Sequence, residues 1–146
     1  MALGALDKNA EAENAYLLAA RNGQEKQAMK QLSNTYVKQA AAALKAKKYA
    51  DAVAAAEKSN KYLENATAYK VAGTAASQLK KNEDAIAYLE KYLQLSPNAK
   101  DASQMIYTIA ATAQTMGDKA KAKEYYQKIT TDPKFGPTAQ EMLKSL

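Results

Sequence analysis

The side chains that could do chemistry in this chain are carboxylates, lysine amines and tyrosine phenols. The 146 residues include ten tyrosines and one phenylalanine, but neither histidine nor cysteine. That removes zinc-finger and CxxC sites, Ser-His-Asp and Cys-His nucleophiles, and a haem axial histidine. Two acidic pairs, Glu11/Glu13 and Glu83/Asp84, could in principle divide acid and base roles. Each pair opens a predicted helix, where negative charge complements the macrodipole, and that structural role is the better reading. The glycines are isolated, so no phosphate-cradling loop is expected. No catalytic residue, cofactor, metal or small-molecule substrate is expected, and the chain is read as a non-enzyme.

The net charge is +6, from 21 basic and 15 acidic residues, and Arg21 is the only arginine. A basic balance points to an acidic protein, nucleic acid or an anionic membrane. The lysines run almost evenly from Lys8 to Lys144, usually beside Glu or Asp. Their densest groups are Lys45/Lys47/Lys48, Lys80/Lys81 and Lys119/Lys121/Lys123, each at the end of one predicted helix or the start of the next. Base readout depends on the arginine fork with Asn and Gln, so this distribution argues against nucleic acid. A salt-sensitive attraction to nucleic-acid backbones or anionic surfaces stays open as an alternative. No apolar run approaches the roughly 18 residues that span a bilayer. The start, Met1 to Leu6, is too short for a signal-peptide core and lacks a basic flank.

Alanine, lysine, glutamine, glutamate and leucine dominate, all strong helix formers, and only five glycines and three prolines interrupt them. One all-helical domain is expected. Breaks fall at Arg21-Asn22-Gly23, near Lys47, at Glu64-Asn65, Lys80-Lys81-Asn82, Ser96-Pro97-Asn98, Gly117-Asp118 and Asp132-Pro133. Gly23 suits a left-handed helix end. The spacing predicts helices at about 9–20, 24–47, 49–63, 66–79, 84–95, 101–116, 120–130 and 137–146. Ala28, Leu32, Tyr36, Ala40 and Leu44 recur every fourth residue and mark one buried stripe. Asp101 is expected to cap the helix that buries Ile106, Ile109, Ala110 and Ala113. Short helices on tight turns must be antiparallel neighbours.

The segments around Ala12, Ala52, Ala85 and Ala122 resemble one another, at spacings of 40, 33 and 37 residues. A helix-turn-helix unit at such spacings resembles a tetratricopeptide repeat. The best copy, 66–99, has the family's large aromatic as Tyr69, its small residue as Gly73, its alanine as Ala85, its bulky residue as Leu89 and its closing proline as Pro97. The copy from Ser33 has Tyr36, Ala40, Ala43 and Ala52, but carries Gln39 where leucine is usual. The copy from Ser103 has Ile106, Ile109, Ala110, Gly117, Ala122, Tyr126 and Ile129, with Pro133 one place early.

The resemblance implies an all-α, right-handed solenoid of antiparallel helix pairs. Its expected divisions are a partial repeat at 1–21, a repeat with an elongated first helix at 24–64, the best repeat at 65–99, another at 101–133, and a capping helix at 135–146. The first repeat lacks part of its first helix, as if cut from a longer protein. Leu3, Leu6, Leu17 and Leu18 would then expose apolar surface through which copies could self-associate. Five tyrosines (Tyr36, Tyr69, Tyr88, Tyr92 and Tyr126) hold packing positions.

In this family the first helix of each pair lines a concave groove. The corresponding face carries Asn34, Val37, Lys38, Ala41 and Lys45; then Thr67, Lys70, Val71, Thr74 and Gln78; then Gln104, Tyr107, Thr108, Ala111 and Gln114. The resemblance implies a protein-interaction scaffold holding a partner protein or extended peptide there, with lysine favouring acidic residues. A solvated face with no ligand is the plain alternative. A docking segment of a larger enzyme or envelope complex is another. The carboxylate clamp of some chaperone-binding members is absent, since Val37, Ala41, Val71, Gln104 and Thr108 stand at its positions. The Ala/Lys/Asn/Tyr-rich style resembles exported bacterial proteins, which slightly favours the cell envelope over the cytoplasm.

Overall fold

The computed structural model describes residues 13–14 and 25–146, so expectations for Gly23 and for Leu3, Leu6, Leu17 and Leu18 lie outside it. Glu13 and Asn14 are helical. Seven labelled helices follow among the described residues: α1 (Glu25–Lys45), α2 (Tyr49–Tyr62), α3 (Ala66–Gln78), α4 (Asn82–Leu95), α5 (Ala102–Thr115), α6 (Lys119–Gln127) and α7 (Gly136–Ser145). The chain divides into two compact units, Met1–Ala72 and Gly73–Leu146, with the division inside α3.

In the first unit α1 is 21 residues long against 14 in α2. Its buried stripe is Ala28, Leu32, Ser33, Tyr36 and Ala40. Opposite stand Ala52, Ala55, Ala56 and Ser59 of α2. Small side chains let two helices approach closely, which is why alanine dominates this contact. Two serines sit within it, almost fully buried. The Ser59 hydroxyl donates to the Ser33 carbonyl at 2.8 Å, and the Ser33 hydroxyl donates to the Leu63 carbonyl at 3.0 Å. Each bond answers the cost of burying a hydroxyl and joins α1 to α2.

The second unit builds its core from Ala85, Ile86, Leu89 and Tyr92 of α4, Met105, Ile109, Ala110 and Ala113 of α5, and Ala122 and Tyr126 of α6. Two expectations for α5 need correcting. Ile106 is half-buried, and Met105 takes the inward place beside Ile109. Asp101 stands at the α5 N-cap without capping it; its carboxylate accepts from the Tyr92 hydroxyl at 2.6 Å, tying the end of α4 to the start of α5. A buried phenol competes well for a nearby carboxylate, because a charged acceptor makes the stronger bond.

Three helix ends share one device. Lys47, Lys80 and Gly117 have φ of 62°, 60° and 82°. After each, the next residue's N–H reaches back: Lys48 to Ala43, Lys81 to Ala76 and Asp118 to Ala113, at 2.8 to 2.9 Å. This is the left-handed close of a helix, which satisfies orphan carbonyls and reverses the chain. Asp118 then caps α6 through the Lys121 N–H at 3.1 Å. The last turn after α6 tightens to bonds three residues apart, Lys128 to Tyr125 and Ile129 to Tyr126, so the helix ends at Gln127 rather than near Thr130. α7 buries Ala139, half-buries Met142, Leu143 and Leu146, and exposes Gln140, Glu141, Lys144 and Ser145.

Candidate partner-binding surface

No group of three or more His, Cys, Asp or Glu comes together among the described residues. Of the two acidic pairs, Glu11 lies outside the described residues. Glu83 and Asp84 are exposed in the first turn of α4. Glu13 has a more specific role: its carboxylate accepts from both the Tyr36 and Tyr62 hydroxyls. Those two rings stack with centroids 6.1 Å apart. Burial first, and then the Glu13 bond and charge, push the Tyr36 phenol up to about 12. Neutral phenols that only donate are unsuited to acid–base work near neutrality, so this cluster is structural.

The expected groove residues separate by unit. In the first unit Asn34, Lys38, Ala41 and Lys45 are exposed on one face of α1, while Val37 is half-buried. The same spacing extends that face to Gln27 and Lys30, both exposed. These two escaped the sequence reading because the repeat motif covers only part of this long helix; plain helical periodicity contains the signal. Lys70 on α3 is half-buried and Val71 is buried. Between Glu25 and Asp51 there is no acidic residue, but there are Lys26, Lys30, Lys38, Lys45, Lys47 and Lys48. After Glu25 in its first turn, the long helix carries only positive charges, Lys26, Lys30, Lys38 and Lys45.

In the second unit Gln78 and Gln104 are exposed, and Thr74 and Thr108 are half-buried. Thr108 donates to the Gln104 carbonyl at 2.9 Å, and Thr112 to the Thr108 carbonyl at 2.7 Å, so α5 spends these hydroxyl protons on its own backbone. Tyr107 and Gln114 are engaged inside the fold. The Tyr107 ring lies between Tyr126 and Phe135, with centroids 5.9 and 5.4 Å away. The Tyr126 hydroxyl donates to Gln114 Oε1 at 2.9 Å. α5 thus exposes the Gln104 amide and half-exposes Thr108.

The helix pairs and the left-handed turns at Lys47, Lys80 and Gly117 recur at spacings of the kind read from the sequence. The family model described as Tetratricopeptide repeat matches residues 66–99 and 103–131. These two segments are tetratricopeptide repeats. The chain's fold is likewise that of a helical solenoid: among 16 matching solved chains is one titled "Crystal structure of MamA", with TM-score 0.55 and 20% identity, covering 91% of this chain and 78% of that one. No curated protein sequence matches it. Tetratricopeptide repeats generally mediate protein–protein interaction and are typically non-catalytic. No helix among the described residues of this repeat protein is long and apolar enough to cross a membrane.

Proposed function

We propose that this repeat protein is a non-catalytic scaffold that holds acidic, extended partner segments against the first-helix faces of each unit. In the first unit Asn34, Lys38 and Lys45 of α1, with Lys70 of α3, are the contact residues. In the second unit Thr74, Gln78, Gln104 and Thr108 contribute amides and hydroxyl oxygens.

One observation carries the reading: a 21-residue helix exposes Asn34, Lys38 and Lys45 on one face, within a stretch that has six lysines and no carboxylate. Lysine on an exposed face costs little by itself. A row of lysine ammonium groups on one face steers an anionic segment and sets its register. Neighbouring side-chain amides can bond a peptide backbone in either direction, because each offers a donor and an acceptor.

The test uses fluorescently labelled synthetic peptides of mixed Glu and Ala, or mixed Lys and Ala, titrated by anisotropy. The acidic peptide should bind and the basic one should not. A Lys38→Glu/Lys45→Glu/Lys70→Glu variant should weaken binding roughly tenfold, as expected when three charge contacts, two exposed and one half-buried, of a few tenths to about 1 kcal/mol each are reversed. Equal binding of both peptides, or an unchanged variant, overturns the proposal. A short DNA duplex bound as tightly as the acidic peptide would support the nucleic-acid alternative instead.

A further inference from the structure

Between α4, α5 and α6 in the second unit lies an open hollow of about 290 Å³. Leu93, Pro97 and Ile106 supply its apolar lining, and Tyr125 forms a wall. It is separate from the first-helix faces discussed above. With residues 66–99 and 103–131 in repeat register, Ile106 falls where the preceding repeat has Tyr69. Isoleucine is shorter than tyrosine, and Ile106 stays half-buried at the edge of the hollow. Well-packed cores seldom leave such space.

The charges on its rim are unequal. Glu90 is neutralised: Lys121 donates to its carboxylate at 3.0 Å, and the Tyr125 hydroxyl also bonds to it. Lys128 is exposed, and its ammonium lies 5.4 Å above the Tyr125 ring centroid. It makes no ion pair among the described residues. The rim thus carries one uncompensated positive charge beside an apolar floor. Pockets for drug-sized ligands begin near 300 Å³, so the space suits one side chain better than a metabolite.

We propose that this hollow docks a single aromatic side chain of a partner protein, with a neighbouring carboxylate of that partner seated on Lys128. The ring lies beside Ile106, against Leu93 and Pro97. The carboxylate supplies the charge that Lys128 lacks.

The probes are the blocked dipeptides N-acetyl-Asp-Phe-amide, N-acetyl-Lys-Phe-amide and N-acetyl-Asp-Ala-amide, titrated into the full chain and followed by methyl NMR. The first should shift the Ile106 and Leu93 methyls saturably; the other two should bind more weakly. Ile106→Tyr should abolish the shifts by filling the hollow. Lys128→Glu, a surface change that keeps the fold, should weaken the Asp-Phe probe about two- to fivefold and favour the Lys-Phe probe. The proposal fails if no saturable shift reaches Ile106 or Leu93, if Asp-Ala binds as well as Asp-Phe, or if Lys128→Glu changes nothing. Should Ile106→Tyr not fold, the Lys128→Glu comparison still decides.

Discussion

Leu89 lies so close to Gly73 that a Cβ on residue 73 would stand 2.7 Å from its Cγ and Cδ2. The carbonyl of Ala85 would be 3.4 Å away. Leu89 is 1% exposed, so it has no room to retreat. Alanine at position 73 would gain about 0.5–1 kcal/mol as a better helix former. Overpacking against a buried leucine costs about 1–3 kcal/mol. The second effect wins, and Gly73→Ala should lower stability by about 1–2 kcal/mol in urea titration. A neutral or stabilising result would mean that α3 and α4 separate easily.

The left-handed turns predict the opposite sign for glycine. Lys80 holds φ of 60° with a side chain that resists it, at a cost of roughly 1–2 kcal/mol, part of which glycine returns through its greater freedom when unfolded. Lys80→Gly should therefore stabilise by about 0.5–1 kcal/mol. Gly117→Ala, at φ of 82° with open space around it, should destabilise by a similar amount. Urea midpoints of the two variants, moving in opposite directions, check the point.

The buried serines are coupled. Removing the Ser59 hydroxyl takes a second donor from the Ser33 carbonyl and a neighbour from the Ser33 hydroxyl, at a site almost closed to water, and should cost about 1 kcal/mol. Because Ser33 and Ser59 share one network, the double change to alanine should cost less than the sum of the singles. Strict additivity in a double-mutant cycle would disprove the coupling.

Alkaline stability is set by tyrosine. Burial is the largest cause that pushes Tyr36, Tyr92 and Tyr125 from 10.0 up to about 12, followed by nearby carboxylates. The folded state then binds these protons more tightly than the unfolded chain does. The stabilisation is full below pH 10 and is lost as pH rises through about 12. Phenolate absorbance should show an early set of tyrosines and a late set whose ionisation coincides with loss of helical circular dichroism. A single transition near 10 with the helices intact would contradict this.

Asp132 acts at the acid end. Its carboxylate accepts from the Phe135 N–H at 2.8 Å and the Lys134 N–H at 2.9 Å, and also bonds Ser103. The Phe135 bond is the foremost cause that holds its pKa below the usual 3.8. With the folded value depressed, the contribution is present above 3.8 and is lost as pH falls through the lower folded value. Asp132→Ala should speed amide exchange at Ala139 in α7 and remove that acid dependence. Unchanged exchange would show that the Gly136 N–H bond to the Asp132 carbonyl holds α7 without the side chain.

The helices themselves were legible because their causes are local. Propensity, four-residue apolar spacing and breaks at Pro97, Gly117 and Asp132-Pro133 act within a turn or two of chain, and they place α1 to α7 within a few residues. Repetition of those local patterns also identifies the helix-pair family. Exposure of Asn34, Lys38 and Lys45 follows from the same periodicity, once the buried stripe is known.

Tertiary structure decided how the polar groups are spent. Nothing local makes Asp101 accept from Tyr92 instead of capping α5, or makes Glu13 take two phenols 23 and 49 residues away. Tyr107 looks available along the helix, yet Phe135, brought back by the turn before α7, stacks on it. Lys47 and Lys80 adopt a backbone that favours glycine because closing the helix pairs demands it. Helical periodicity says which face a side chain is on. Which donor or ring it meets depends on distant segments arriving there together, and only the packed fold contains that information.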